Sequence, residues 1–187
     1  MESILQLDTD LFLFLNGLGS STWDGFWMFI TGKWNAIPLY ALLLFLLYKK
    51  LGLKGTLLTM LTVALMILVT DQVSKYFKYE LMLRLRPCYD MPDLVRLVKD
   101  SCGGKGGYFS AHATSSMALA IFMGQVLKKH FKYIAVLLFL WAFMVGYSRI
   151  YIGVHYPGDV LTGFVFGTLV ALGMYKLQQW LIAKYNA

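Results

Sequence analysis

Ser148-Arg149-Ile150-Tyr151-Ile152-Gly153-Val154-His155-Tyr156-Pro157-Gly158-Asp159 separates two long apolar runs, residues 133–147 and 157–181. An arginine, a histidine and an aspartate therefore stand where one apolar helix ends and the next begins. Ionisable groups at the edge of hydrocarbon are expensive unless they are paired or line a wet site, so they are functional candidates by default. Their spacing adds chemistry. Arg149 can grip an anion with a two-pronged fork. His155 is the side chain best suited to nucleophilic attack near neutral pH. Asp159 follows four residues later, one helical turn, where it can orient the imidazole and fix its tautomer.

Outward from this stretch, the composition is that of a membrane protein. Hydrophobic residues make up 58% of the 187 and charged residues 14%, against roughly 45–50% and about 25% in soluble domains. The excess lies in long charge-free runs, which predicts an all-α polytopic membrane bundle formed by a single domain, residues 1–187. The formal net charge is +7, but no aromatic–basic interleaving accompanies it outside the apolar runs. Nucleic acid is excluded as a partner on that ground.

Five spans are expected, at about residues 33–50, 55–77, 110–127, 133–147 and 157–181. The first is about 27 Å long at 1.5 Å per residue, just adequate for hydrocarbon, with Lys33 and Trp34 in the headgroup layer. Residues 23–31 read as an aromatic lead-in to it. Residues 1–21 carry apolar side chains at helical spacing, with Asp8, Asp10 and Asn16 on the remaining arc, and predict an amphipathic helix lying at the interface. Asp71 and Lys75 have the spacing of a helix-end ion pair. Gly163 and Gly167 form a small-xxx-small pair that permits close helix packing within the chain.

The loops holding Lys49, Lys50 and Lys54 and Lys128, Lys129 and Lys132 contain no acid, and Lys176 and Lys184 follow in the tail. Positive residues favour the cytoplasm, so these loops and the C-terminus are expected inside. The long connection 79–109 and the 148–159 stretch then share the outer face. Both cysteines, Cys88 and Cys102, lie in that connection. In an oxidising compartment they are expected to close a loop of about fifteen residues, a constraint of roughly 3 kcal/mol in the chain-entropy model. Zinc is disfavoured, since two cysteines without suitably spaced histidines do not complete four ligands.

Three polar clusters converge on the outer face: Lys78 with Arg84, Arg86 and Pro87; Phe109-Ser110-Ala111-His112; and the 148–159 stretch. Together they resemble the three signature motifs of the type 2 phosphatidic acid phosphatase family of membrane lipid phosphatases. The third family motif is Ser-Arg, five residues, His, three residues, Asp, and Ser148, Arg149, His155 and Asp159 match it without a gap. The second is Pro-Ser-Gly-His, of which Ser110 and His112 are kept and Ala111 replaces the glycine. The first is Lys, six residues, Arg-Pro. Arg86-Pro87 fits it, but Tyr79 stands at the lysine position, with Lys78 one residue too early and Lys75 three residues before that. The resemblance covers about residues 55–180.

The resemblance implies a metal-independent, cofactor-free phosphatase working through a phosphohistidine, with vanadate as a phosphate-mimicking inhibitor. His155 would attack phosphorus, Asp159 would hold its other ring nitrogen, and His112 would protonate the leaving oxygen and later activate water. Lys78, Arg86 and Arg149 would neutralise the phosphoryl oxygens, joined by donors from Ser110 and the backbone around Ala111. Arg84 reads either as a further phosphate ligand or, slightly favoured, as a contact to lipid headgroups. The partners expected are a phosphorylated lipid substrate and the surrounding membrane lipids, with no obligate protein partner, in a bacterial-type plasma membrane. Undecaprenyl diphosphate is the leading substrate. Phosphatidylglycerol phosphate, phosphatidic acid and the phosphates of lipid A remain alternatives. An anion transporter or channel using the same basic cluster is the competing class.

Overall fold

The computed structural model describes residues 2–32 and 34–185. It is a bundle of seven α-helices and one π-helical turn: α1 (Glu2–Gly17), α2 (Ser21–Thr31), α3 (Ile37–Tyr76), the π turn (Phe77–Leu81), α4 (Pro87–Asp90), α5 (Ala111–Leu127), α6 (Ile134–Tyr151) and α7 (Pro157–Tyr185). Three segments are long and apolar enough to cross a membrane, Ile37–Leu81, Ile134–Tyr151 and Pro157–Tyr185, and α5 is a shorter apolar helix. Gly52 breaks the first of these with φ +66°, inside α3, a left-handed value that glycine adopts without steric penalty. The limbs on either side, 37–51 and 53–76, fold back on each other. Ala41, Phe45 and Tyr48 line one groove with Leu53, Leu57 and Met60. With both limbs counted, five apolar helical segments stand in the order that the apolar runs predict. The first limb begins at Ile37; Lys33 lies outside the described residues.

Helix α5 forms the centre. Its small residues alternate with Met117, Phe122, Met123 and Leu127 all round the axis, and eleven of its seventeen residues are buried, as expected for a helix enclosed on every side. Helices α3, α6 and α7 surround it, sharing one core in which Leu43 and Leu47 meet Met66, Met123, Leu138 and Ala171. Gly163 and Gly167 do bring α7 against α5. A Cβ at Gly167 would lie 2.3 Å from the Thr114 carbonyl, and one at Gly163 would lie 2.9 Å from the Ser110 carbonyl. Gln178 is fully buried and donates to Thr59 Oγ1 at 3.1 Å, satisfying a polar pair within the apolar interior.

The two ends of the bundle differ. At one, Lys50 sits over the Phe131 ring and Lys54 donates to the Tyr185 carbonyl. At the other lie the 82–110 connection, the 148–159 stretch and the N-terminal helices. The expected aromatic lead-in, residues 23–31, is instead part of a helix. α2 lies along the end of α6, with Trp27 against Tyr147 and Tyr151 at ring separations of 4.8 and 5.4 Å.

Helix α1 is amphipathic, as its periodicity predicts, and one stripe of it meets the bundle. Asp8 and Asn16 of its polar arc turn toward protein, while Asp10 is exposed. Asn16 is 1% exposed and donates to the carbonyls of Ile150, Tyr151 and Arg96, while its Oδ1 accepts from the Arg96 N–H. Ile4, Leu7, Phe14 and Leu18, more than 60% exposed, point away from the bundle. Open carbonyls at the end of α6 explain why Asn16 turns inward, since they need a donor and α1 supplies an amide.

Candidate active site

The 148–159 stretch leaves α6 through a tight turn. Val154 and His155 both donate backbone N–H groups to the Arg149 carbonyl, and Gly153 at φ +84° passes within 2.8 Å, as a virtual Cβ, of the Arg96 carbonyl. Only glycine fits there. Pro157 then opens α7 at its first turn, a position where its missing N–H is harmless. The consequence is a buried loop that carries His155 (2% exposed) and sets Asp159 (0%) one turn further on. His155 Nδ1 lies 3.3 Å from Asp159 Oδ2, which also accepts the Tyr156 backbone N–H at 3.0 Å. With an acceptor fixed at Nδ1, the imidazole carries its proton there, and the Gly107 backbone is a further hydrogen-bonding neighbour of the ring.

Cations gather beside this pair. Burial, followed by Arg149, Arg86 and Lys78, holds His155 well below the usual histidine value, so the ring is neutral at neutral pH and its lone pair is available. Arg149 is 4% exposed and anchored by a hydrogen bond from Nη1 to Thr31 Oγ1 on α2. Its Nε is buried with no hydrogen-bond partner among the described residues. A buried unpaired guanidinium nitrogen is costly and marks a place for an anionic ligand. Arg86 is aimed by its own loop, donating from Nε to the Gly106 carbonyl at 3.2 Å and from Nη1 to the Cys102 carbonyl at 2.8 Å. Cys102 is disulfide-bonded to Cys88, with Cα atoms 6.1 Å apart. Lys99, half-buried, also belongs to this field; burial, Arg149 and Arg86 hold its ammonium below the ordinary lysine value.

The lysine ambiguity of the first motif has a geometric answer. Lys75 is exposed and pairs with Asp71 at 2.7 Å. Lys78 is 9% exposed and acts on Arg86, Arg149 and Asp159. It lies within the π turn, closed by the Met82 N–H to the Phe77 carbonyl at 2.9 Å. A π turn holds one more residue than an α turn, which absorbs the seventh residue between Lys78 and Arg86.

His112 opens on the same space. It is solvent-accessible, on the first turn of α5, and feels Arg149, His155, Lys78 and Lys99. Ser110 is the N-cap of α5; its Oγ accepts the Ala113 N–H at 3.5 Å, and its own N–H donates to the Asp159 carbonyl at 3.1 Å. Its hydroxyl oxygen is thus engaged as a cap, while the first N–H groups of α5, beginning at Ala111, sit at the positive end of a helix.

Arg84 is engaged within the protein. It pairs with Asp8 at 2.7 Å and Asp159 at 3.2 Å and lies 3.8 Å over the Tyr156 ring. These partners are 76 and 75 positions away, so no local spacing could have indicated them. Asp8, Thr31 and Asn16 were missed as contributors for the same reason. The one available signal was that Asp8 and Asn16 share a helix face. Among the described residues no group of three His, Cys, Asp or Glu side chains comes together in a way that could hold a metal ion.

The model of the PAP2 superfamily matches residues 53–183 of this chain. The chain is 38% identical over 190 residues to a lipid A 4'-phosphatase from Bacteroides thetaiotaomicron, with 100% of this chain and 84% of the relative covered. It is 29% identical over 176 residues to an undecaprenyl-diphosphatase from Sulfolobus acidocaldarius, covering 91% of this chain and 78% of that one. The crystal structure of Aquifex aeolicus LpxE superposes with a TM-score of 0.69 at 26% identity, over 91% of this chain and 95% of that one. A bundle whose histidine–aspartate pair and converging cations sit at one end, matched by relatives over nearly its whole length, belongs to the PAP2 superfamily and is a membrane lipid phosphatase.

Proposed function

We propose that the chain removes the 4'-phosphate of lipid A through a phosphohistidine on His155. The observation that carries the chemistry is the buried His155–Asp159 pair beside the unpartnered Nε of Arg149. The lipid is inferred from the relatives: the lipid A 4'-phosphatase is 38% identical over the whole chain, against 29% for the undecaprenyl-diphosphatase. Lipid A therefore displaces undecaprenyl diphosphate as the leading substrate.

Nε2 of His155 attacks phosphorus as the bond to the lipid oxygen breaks, and the departing electron pair is protonated by His112. Asp159 stabilises the cationic ring that forms. A water molecule, deprotonated by His112, then attacks the phosphohistidine. The P–N bond breaks, its electron pair returns to Nε2, and inorganic phosphate leaves. Lys78, Arg86 and Arg149 carry the charge on the phosphoryl oxygens, with Ser110 and the Ala111 N–H at the helix terminus. The acid-free lysine loops at the opposite end, together with a disulfide at this one, favour an outward-facing site and a cytoplasmic C-terminus.

The test is phosphate release by purified protein in detergent with excess EDTA. The panel holds lipid A, undecaprenyl diphosphate, phosphatidylglycerol phosphate and phosphatidic acid, and mass spectrometry locates the phosphate lost. Chelator-resistant loss from the 4' position of lipid A, faster than release from the other three, is expected. Preferential turnover of undecaprenyl diphosphate would overturn the substrate, and release unchanged in His155→Ala would overturn the chemistry.

A further inference from the structure

Helix α1 reaches the reaction centre through a stripe of three residues at four-residue intervals, Asp8, Phe12 and Asn16. Phe12 is fully buried and meets the Tyr156 ring edge-on at 5.3 Å. Asn16 holds the end of α6. Asp8 does something more specific: Oδ1 accepts the Gly158 N–H at 2.7 Å, and Oδ2 pairs with Arg84 Nη2 at 2.7 Å. The other prong of the same guanidinium, Nη1, reaches Asp159 Oδ1 at 3.2 Å, and Asp159 Oδ2 faces His155 Nδ1. The groups form an alternating row, Asp8, Arg84, Asp159, His155.

A guanidinium with one available carboxylate prefers to take both of its oxygens. Arg84 with Asp159 as sole counter-ion would therefore compete with His155 for Oδ2. Asp8 occupies one prong, so Arg84 meets only Oδ1, and at the longer of its two contacts. We propose that Asp8 is a positioning residue for the phosphatase reaction, restraining Arg84 so that Asp159 stays directed at His155. This rests on His155 being the nucleophile. It also makes α1, which lies outside the matched residues 53–183, part of the apparatus that orients the nucleophile.

The row predicts a pattern of effects that a purely structural contact does not. Asp8→Asn keeps the shape and the acceptor for Gly158 but frees Arg84. It is expected to lower kcat about tenfold or more with KM within about twofold, since the phosphate ligands are untouched. Arg84→Gln leaves two carboxylates facing each other without the cation between them and is also expected to lower kcat. The double variant removes both charges of the pair, a change far milder than removing one, and is expected to recover most of the loss of Asp8→Asn. The experiment measures kcat and KM on lipid A in detergent for wild type, both single variants, the double variant and His155→Ala, on fractions that elute as folded protein. Recovery in the double variant with KM held supports the assignment. A folded double variant as slow as Asp8→Asn or slower, or an unchanged kcat in Asp8→Asn, overturns it. Full activity in His155→Ala would overturn the nucleophile itself, a failure separable from that of Asp8.

Discussion

Arg149→Met separates function from stability most sharply. The wild-type side chain is 4% exposed, with a hydrogen bond to Thr31 and a buried Nε that has no partner among the described residues, beside the like charge of Arg86. Methionine fills comparable space without charge. Losing the Thr31 bond costs about 1.5–3 kcal/mol, but the substitution also removes a desolvated charge and its repulsion with Arg86, so net stability is expected to hold or rise. Activity should collapse. Two charge-assisted bonds to the phosphoryl group, at about 1.5–3 kcal/mol each, amount to about 3–6 kcal/mol, which is about 10²–10⁴ in kcat/KM. Arg149→Lys keeps the charge and loses the fork, and should fall between the two. The assay pairs phosphate release from lipid A with thermal unfolding in the same detergent. An Arg149→Met protein within tenfold of wild-type kcat/KM would refute the argument. So would one that unfolds many degrees lower, which would make Arg149 a structural residue.

Other outcomes follow from the same geometry. Lys75→Ala should leave kcat/KM within about twofold, its ion pair with Asp71 being exposed and worth under about 1 kcal/mol. Lys78→Ala should lose about tenfold or more, the cost of one charge-assisted contact; equal effects would contradict the π-turn assignment. Replacing both Cys88 and Cys102 by Ala releases a loop with sequence separation 14 and should cost about 3 kcal/mol, read as a fall in Tm that reductant reproduces in wild type. Because His155 is held well below its ordinary value when folded, the unfolded chain binds more protons below about pH 6.5. Stability should therefore fall as pH drops through and below that value, by at most about 1.4 kcal/mol per pH unit from this group. His155→Asn should flatten that part of the profile, and an unchanged slope would contradict the burial argument.

What was legible in the sequence divides along physical lines. The apolar helices were legible because hydrocarbon demands long charge-free runs, and the 148–159 loop because charges at their ends are costly enough to need a reason. Local spacing indicated the meeting of His155 with Asp159, since a helical turn fixes i and i+4. The face of α1 was not legible. Periodicity shows that a helix has two faces but not which one meets protein, and the open carbonyls of Ile150 and Tyr151 that turn Asn16 inward belong to a distant segment. The partners of Arg84 were hidden for the same reason, since Asp8 and Asp159 meet it only after folding. The π turn was hidden because no residue preference announces it; a surplus residue between Lys78 and Arg86 was the single trace. The disulfide pair needed only compartment chemistry and two cysteines in one connection.

The most direct test of the account is whether phosphate becomes bonded to His155 during turnover. Wild-type enzyme mixed with ³²P-labelled lipid A and stopped in alkali, where phosphohistidine survives, should carry label on the protein that acid removes. His155→Ala should carry none and release no phosphate. Label that persists in His155→Ala, or phosphate release that continues without it, would contradict the nucleophile on which the mechanism depends.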